Sequence, residues 1–358
     1  MSLMCEPMRF DNAVGIEPMK GMRKMHMRKR ALAGLALLLG IMLIGSGCET
    51  RKLAKGADAE TAAPLRVVTT IFPPFDFARQ IAGGHAKISM LLKPGMESHS
   101  YEPSPADIIS VESCDLFIYN GGESDTWVDD LLNTIDTSNL HVLKMMDCVD
   151  TLEEQAVEGM QGAHDHGHDH EAGHVHDEEG AVAEYDEHVW TSPRNACAIT
   201  EAIAAQMARL DPGNAQYYKA NTAAYIQELE ELDQTFMDIT AAAKRHLILF
   251  GDRFPFRYFA DAYGLSYRAA FPGCSAESEP SVKTVAYLID KAREEEIPNI
   301  FYIEFSNQKI AQTLQEETGA VPLLFHSCHN LSKDEMERGT TYLELMRGNA
   351  ENLKEALN

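Results

Sequence analysis

Histidine is the residue type that sets this chain apart. Residues 164–176 read HDHGHDHEAGHVH, placing His164, His166, His168, His170, His174 and His176 among aspartate and glutamate. Imidazole titrates near ~6.5, so at neutral pH these rings are mostly uncharged and free to donate a lone pair. Such donors suit Zn²⁺ and are poor ligands for Mg²⁺ or Ca²⁺. The tract has too little apolar content to form a core, so it is expected as a loop with an auxiliary metal-binding role. Two other histidines sit in a different setting. His99, in PGMESHSYEPSP, follows an expected strand and precedes a Ser-Pro helix start. His188, in DEHVWTSPRN, also stands just ahead of a Ser-Pro helix start. Their alike settings mark both as candidate ligands on loops. Asp186 or Glu187 would hold the His188 tautomer.

The elements that must position these residues alternate. Strands are expected over 66–72, 87–92, 115–119 and 142–146, with helices over 75–82, 105–113 and 127–133 between them. An acidic, His-rich loop follows over about 150–185. A helix from Ser192-Pro193 to about 210 ends at Asp211-Pro212-Gly213, and one long helix is expected over 214–244, with Tyr218, Tyr225, Leu229, Leu232 and Phe236 at helical spacing. The pattern then restarts, with strands over 246–250, 265–271, 299–305 and 321–325 and helices over 256–263, 282–296, 309–318 and 340–357. Strand–helix alternation indicates parallel α/β sheets. The expected architecture is two α/β lobes joined by a long rigid helix: an N-terminal lobe over 65–212, a linking helix over 213–244 and a C-terminal lobe over 245–358. Ligands of such sheets lie beyond the carboxyl ends of the strands, so the metal site is expected in the inter-lobe cleft.

The chain has 358 residues, is 45% hydrophobic and carries a formal charge of −24. That acidity argues against nucleic-acid binding and favours long-range attraction of cations. Arg23, Lys24, Arg28, Lys29 and Arg30 precede an apolar stretch over 31–44 that ends in Gly45-Ser46-Gly47-Cys48. This is the pattern of a secretory signal over 1–47. Cys48 resembles the lipidated cysteine of a bacterial lipoprotein box, although Gly45 stands where that pattern prefers an aliphatic residue. Residues 48–64 are expected as a tether. Export permits disulfides. Cys274 and Cys328, in comparable loop positions, are the expected pair.

HSYEPSP and DEHVWTSP, together with FRYFADAYGL, resemble motifs of the cluster A-I solute-binding proteins, the zinc and manganese receptors of ABC importers. The resemblance covers about residues 65–358. It implies His99 and His188 as the first two ligands. The third ligand of the family pattern precedes the aromatic helix, where this chain reads FGDRFPFRYF and places Arg253, which cannot ligate because it stays protonated. Asp252 is its neighbour. The fourth position falls in VPLLFHSCHN and is matched by His326, with Cys328 and His329 close by. Glu304 and Glu277 are possible oxygen donors.

The site expected from this resemblance is His99, His188 and His326 around Zn²⁺, with Mn²⁺ the second choice because it prefers more oxygen. The implied function is an extracytoplasmic zinc receptor, lipid-anchored or periplasmic and monomeric, that delivers the ion to an ABC permease subunit. The alternatives are an exported zinc hydrolase, or a surface adhesin or zinc buffer. No HExxH helix, nucleophile elbow or P-loop lysine motif supports an enzyme.

Overall fold

The computed structural model describes residues 63–97, 101–160, 184–275 and 279–358. The leader, Cys48, most of the tether, His99, Glu277 and the six histidines of 164–176 lie outside the described residues.

Two four-stranded parallel sheets carry the fold. In the first, β1 (Leu65–Thr69), β2 (Ala86–Met90), β3 (Leu116–Tyr119) and β4 (His141–Lys144) pair in the order β2-β1-β3-β4. In the second, β5 (Leu247–Phe254), β6 (Ser266–Pro272), β7 (Asn299–Tyr302) and β8 (Val321–Leu324) repeat that arrangement as β6-β5-β7-β8. Parallel neighbours cannot be joined by a hairpin and need crossovers. These are supplied in the first lobe by α1 (Phe72–Ala82), α2 (Pro105–Glu112) and α3 (Trp127–Thr134). Between the sheets run α4 (Pro193–Leu210) and α5 (Ala215–Ala241). The second lobe adds α6 (Arg257–Tyr263), α7 (Val282–Glu294), α8 (Lys309–Thr318), α9 (Lys333–Arg338) and α10 (Tyr342–Leu357).

Successive strand residues point to opposite faces. Val67 faces a core that also holds Phe72, Trp190, Phe250, Phe301 and Phe325, so one apolar cluster runs through both lobes. Val68 faces the other way, onto Val111, Phe117 and Val128. The second sheet has a matching outer layer built on Leu249, Leu288, Ile300 and Leu314. At 1.5 Å per residue α5 is about 40 Å long. Its buried stripe of Tyr218, Tyr225, Leu229, Leu232 and Phe236 packs against α1 and α4 on one side and α10 on the other.

Several elements differ from the sequence expectation, and β1 and β7 each end three residues early, at Thr69 and Tyr302. α1 begins at Phe72 and takes Pro73 and Pro74 into its first turn, instead of starting after them. A proline there gives up no hydrogen bond, because the first helical N–H groups have no partner in the helix. β5 runs on to Phe254, with a slip in register after Phe250. Helix α9 was not expected, yet Ser332 and Glu335 form a complete capping box at its start.

The expected Cys274–Cys328 disulfide is absent: both thiols are free, as are Cys114, Cys148 and Cys197. The two sulfurs have different surroundings. Cys328 is fully buried among Glu304, Asp76 and Glu335, with Sγ 3.7 Å from the His326 carbonyl. Cys274 lies beside Glu187, Asp186 and Glu154.

The lobes are stapled together by a buried carboxylate. Asp76 on α1 is fully enclosed; Arg79 donates to its Oδ1 at 2.6 Å and the Tyr342 N–H donates to its Oδ2 at 2.7 Å. Arg79 continues to the Thr340 carbonyl at 3.1 Å. Asp76→Ala leaves the buried Tyr342 N–H unpaired and is expected to cost about 2 kcal/mol, with Asp76→Asn costing less. Urea unfolding of the two variants checks this.

Candidate metal centre

The two switch points of the sheets, where β1 lies beside β3 and β5 beside β7, face the cleft with their carboxyl ends. A cavity of about 30 Å³ lies there, lined among others by Glu97, His188, Arg253, Glu304, His329 and Asn330. That is room for one water or one small ion.

His188 is placed by the turn that starts α4. It sits just before the short 3₁₀ turn Val189–Thr191 and is almost wholly buried. Asp186 Oδ1 accepts from the His188 backbone N–H at 2.8 Å and contacts ring Nδ1 at 3.1 Å. Asp186 therefore orients the ring and directs its other nitrogen elsewhere. Gly273 permits this packing, since a Cβ there would stand 3.2 Å from His188 Cε1. Burial opposes the charged ring, but Asp186, Glu187 and Glu154 outweigh it and raise the His188 pKa.

The loop after β8 supplies the second imidazole. The His188 and His329 rings meet edge to face, with centroids 5.5 Å apart, and Trp190 packs against both, 5.4 Å from His188 and 4.9 Å from His329. The His329 backbone is pinned at both ends: its N–H donates to Glu304 Oε1 at 3.3 Å, and its carbonyl accepts from the Phe72 N–H at 3.3 Å.

His326, the residue matched to the fourth family position, points the other way. Its backbone is clamped by Asn349, which accepts from the N–H at 2.7 Å and donates to the carbonyl at 2.8 Å. Its ring Nδ1 accepts from the Cys328 N–H at 2.9 Å. Its Nε2 is buried without a hydrogen-bond partner among the described residues; the nearest carboxylate oxygen, on Glu335, is 4.0 Å away. His326 does not line the cavity.

Glu304 does line it, on the segment after β7, and is largely committed to the His329 loop: Oε2 accepts from the Ser327 N–H at 2.7 Å, and Oε1 from the Ser327 hydroxyl. Asp252 is outside the lining; its Oδ1 accepts from the Arg253 N–H at 2.8 Å, and burial raises its pKa against Ser306 and Arg253. Cys328 is also outside the lining, and burial pushes its thiol pKa far up, which disfavours a ligating thiolate. Among the described residues, no group of three or more His, Cys, Asp or Glu is arranged to hold a metal ion.

The described chain on either side of residues 161–183 is paired near His188. Glu153 and Tyr185 form an antiparallel bridge, with the Glu154 N–H on the Glu184 carbonyl and the Asp186 N–H on the Leu152 carbonyl, both at 2.9 Å. The returning strand runs directly into Asp186 and His188.

Two four-stranded parallel sheets with a long helix between them in the chain, and two imidazoles meeting at one cavity, define a two-lobed α/β architecture. Residues 67–356 match the family described as zinc-uptake complex component A, periplasmic (ZnuA), and the chain belongs to it. It is 31% identical over 321 residues to the zinc-binding lipoprotein AdcA of Streptococcus pneumoniae, covering 90% of this chain and 60% of AdcA. The chain thus spans about three fifths of that relative's length. It is 30% identical over 325 residues to the high-affinity zinc uptake system protein ZnuA of Bacillus subtilis, covering 91% of this chain and 97% of the relative. The crystal structure of the Zn(II)-bound ZnuA-like domain of S. pneumoniae AdcA is similar with a TM-score of 0.65 at 28% identity, covering 82% of this chain and 99% of that domain. Among the described residues no helix is long and apolar enough to cross a membrane.

The surroundings of His188 lead to a measurable expectation. Its ring is expected to titrate above the ordinary imidazole value of ~6.5. Asp186→Asn removes the main raising charge and is expected to move the midpoint down. NMR titration of the His188 Cε1 proton checks both.

Proposed function

We propose that this chain is an extracytoplasmic zinc receptor that hands its ion to an ABC permease. Zn²⁺ is the cargo, held by the imidazoles of His99, His188 and His329, with a fourth place left to Glu304 or water. Neutral nitrogen donors favour Zn²⁺ over Mn²⁺. The observation that carries this reading is the meeting of His188 and His329, from opposite ends of the fold, at one cavity. His99 belongs to the set because its segment, described as far as Glu97, reaches the same cavity.

His329 takes the place expected for His326. The family's usual third ligand is replaced here by Arg253, so a histidine from the loop after β8 restores a third nitrogen. The family relationship, the zinc-binding names of its relatives and the acidic charge of the chain support a cation receptor. The secretory leader and Cys48 support export and lipid anchoring. The tract at 164–176 would gather ions near the cleft, since tethered donors raise the local concentration of metal.

Ligands bind zinc deprotonated, so affinity is expected to fall as pH drops through the imidazole range. With the His188 pKa raised, the fall is expected to begin above ~6.5. Competition with a chromogenic chelator measures the affinities. His188→Ala and His329→Ala are each expected to weaken zinc by more than about 100-fold, because even outer partners of ligands cost about 10–100-fold. His326→Ala is expected to keep zinc and lose thermal stability. Unchanged affinity in His329→Ala with a collapse in His326→Ala would overturn the assignment.

A further inference from the structure

The segment 93–97 carries the chain from β2 towards His99, and it is the opposite lobe that holds it. Asn330, buried next to His329, donates from Nδ2 to the carbonyls of Lys93 at 2.8 Å and Met96 at 2.9 Å. The Gly95 N–H donates to the Leu331 carbonyl at 2.7 Å. Arg253 closes the other side. Its Nη2 donates to Glu97 Oε2 at 3.3 Å, and its Nη1 to the Ser275 carbonyl at 3.3 Å.

The aim of Arg253 is built into β5. Phe250 pairs with Ala269 and Arg253 with Phe271, so three steps along β5 match two along β6. An extra residue of this kind bends a strand and redirects the side chain that follows. Gly251, inside the slip, lies so close to α8 that a Cβ would stand 2.8 Å from the Ala311 Cα and N. No larger residue fits there without moving the helix. The Arg253 side chain is 18% exposed, whereas that of Glu97 is 44% exposed, so the anchored partner is the arginine and the held partner is the glutamate.

We propose that Arg253 is a positioning residue for metal binding: from the place where the family pattern puts a ligand, it tethers Glu97 across the cleft and so fixes the segment 93–97 that leads to His99. The proposal rests on the reading of His99 as a ligand. Two effects of the guanidinium oppose each other. As a bare cation it repels a divalent ion, and its removal would tighten binding. As a tether it lowers the cost of ordering the loop, and its removal loosens binding. Glu97 offsets the charge at 3.3 Å, which leaves ordering as the larger effect.

The test is zinc affinity by chelator competition for the full chain and for Arg253→Ala, Arg253→Lys, Glu97→Ala, the Arg253→Ala/Glu97→Ala double variant and His99→Ala. Melting in EDTA monitors folding. Arg253→Ala and Glu97→Ala are each expected to weaken zinc about tenfold. The double variant is expected to be no weaker than either single variant, and Arg253→Lys to recover part of the loss. Unchanged or tighter binding in Arg253→Ala, or losses that add in the double variant, would overturn the tether. Should Arg253→Ala melt early, Glu97→Ala and Arg253→Lys still decide the matter. Unchanged affinity in His99→Ala overturns the ligand reading itself; weakened binding there beside an unaffected Arg253→Ala overturns the tether alone.

Discussion

A polypeptide segment buried between two lobes cannot leave its N–H and C=O groups unpaired, and that requirement shapes the turn after β8. Asn349 takes both polar groups of His326. Glu304 takes the N–H groups of Ser327 and His329, and Trp190 Nε1 donates to the Ser327 carbonyl at 2.7 Å. The His326 ring takes the Cys328 N–H, Phe72 takes the His329 carbonyl, and Asn330 ties the turn to the first lobe. With the backbone so committed, the two imidazoles have one outlet each. His326 is used up inside as an acceptor. His329, the one residue of 325–330 that is not fully buried, is left at the cleft. The site is thus a by-product of satisfying a buried loop.

The electrostatic setting on the other side of the cleft is the complement of this. His188 is buried where a charged ring is disfavoured, yet three carboxylates around it reverse the balance. The same carboxylates disfavour one another. Burial, with Asp186 and Glu187 adding to it, raises the pKa of Glu154, and burial helped by Glu187 holds Asp125 at about 6. Asp125 remains tied down because the N–H groups of Asn120 and Gly121 donate to it at 2.8 and 3.0 Å. A cluster of carboxylates around one imidazole favours a positive charge at that place.

How much of this could be read in the sequence depended on the kind of signal. The strand–helix alternation and the stripe of α5 are period signals, and they were legible. His188 was legible because a Ser-Pro helix start fixes where the preceding residues point. The choice between His326 and His329 was not. It turns on Cys328 adopting a left-handed backbone with φ of 61°, which a non-glycine residue rarely takes and no sequence pattern marks. The aim of Arg253 was hidden for a related reason, since a register slip in a buried strand depends on the approach of α8 to Gly251 rather than on local preference. The capping box of α9 could have been found, because SKDE carries it openly. His99, singled out by its setting and by the family resemblance, and the tract at 164–176, singled out by composition, lie outside the described residues.

The shared core limits how the cleft can work. Phe250, Phe301 and Phe325 of the second lobe belong to the same cluster as Phe72 and Trp190, and α5 is packed by helices of both lobes. Swinging the lobes apart would expose this apolar surface at about 25 cal/mol per Å², several kcal/mol for a few aromatic side chains. Wide hinge opening is therefore disfavoured. Exposure across the site runs in a gradient instead: His188 is 1% exposed, while the Glu97 side chain is 44% exposed. The segment at 93–97 is held apart from this shared core, by a few hydrogen bonds and one ion pair. Those bonds are individually weak and jointly sufficient to hold the loop in register.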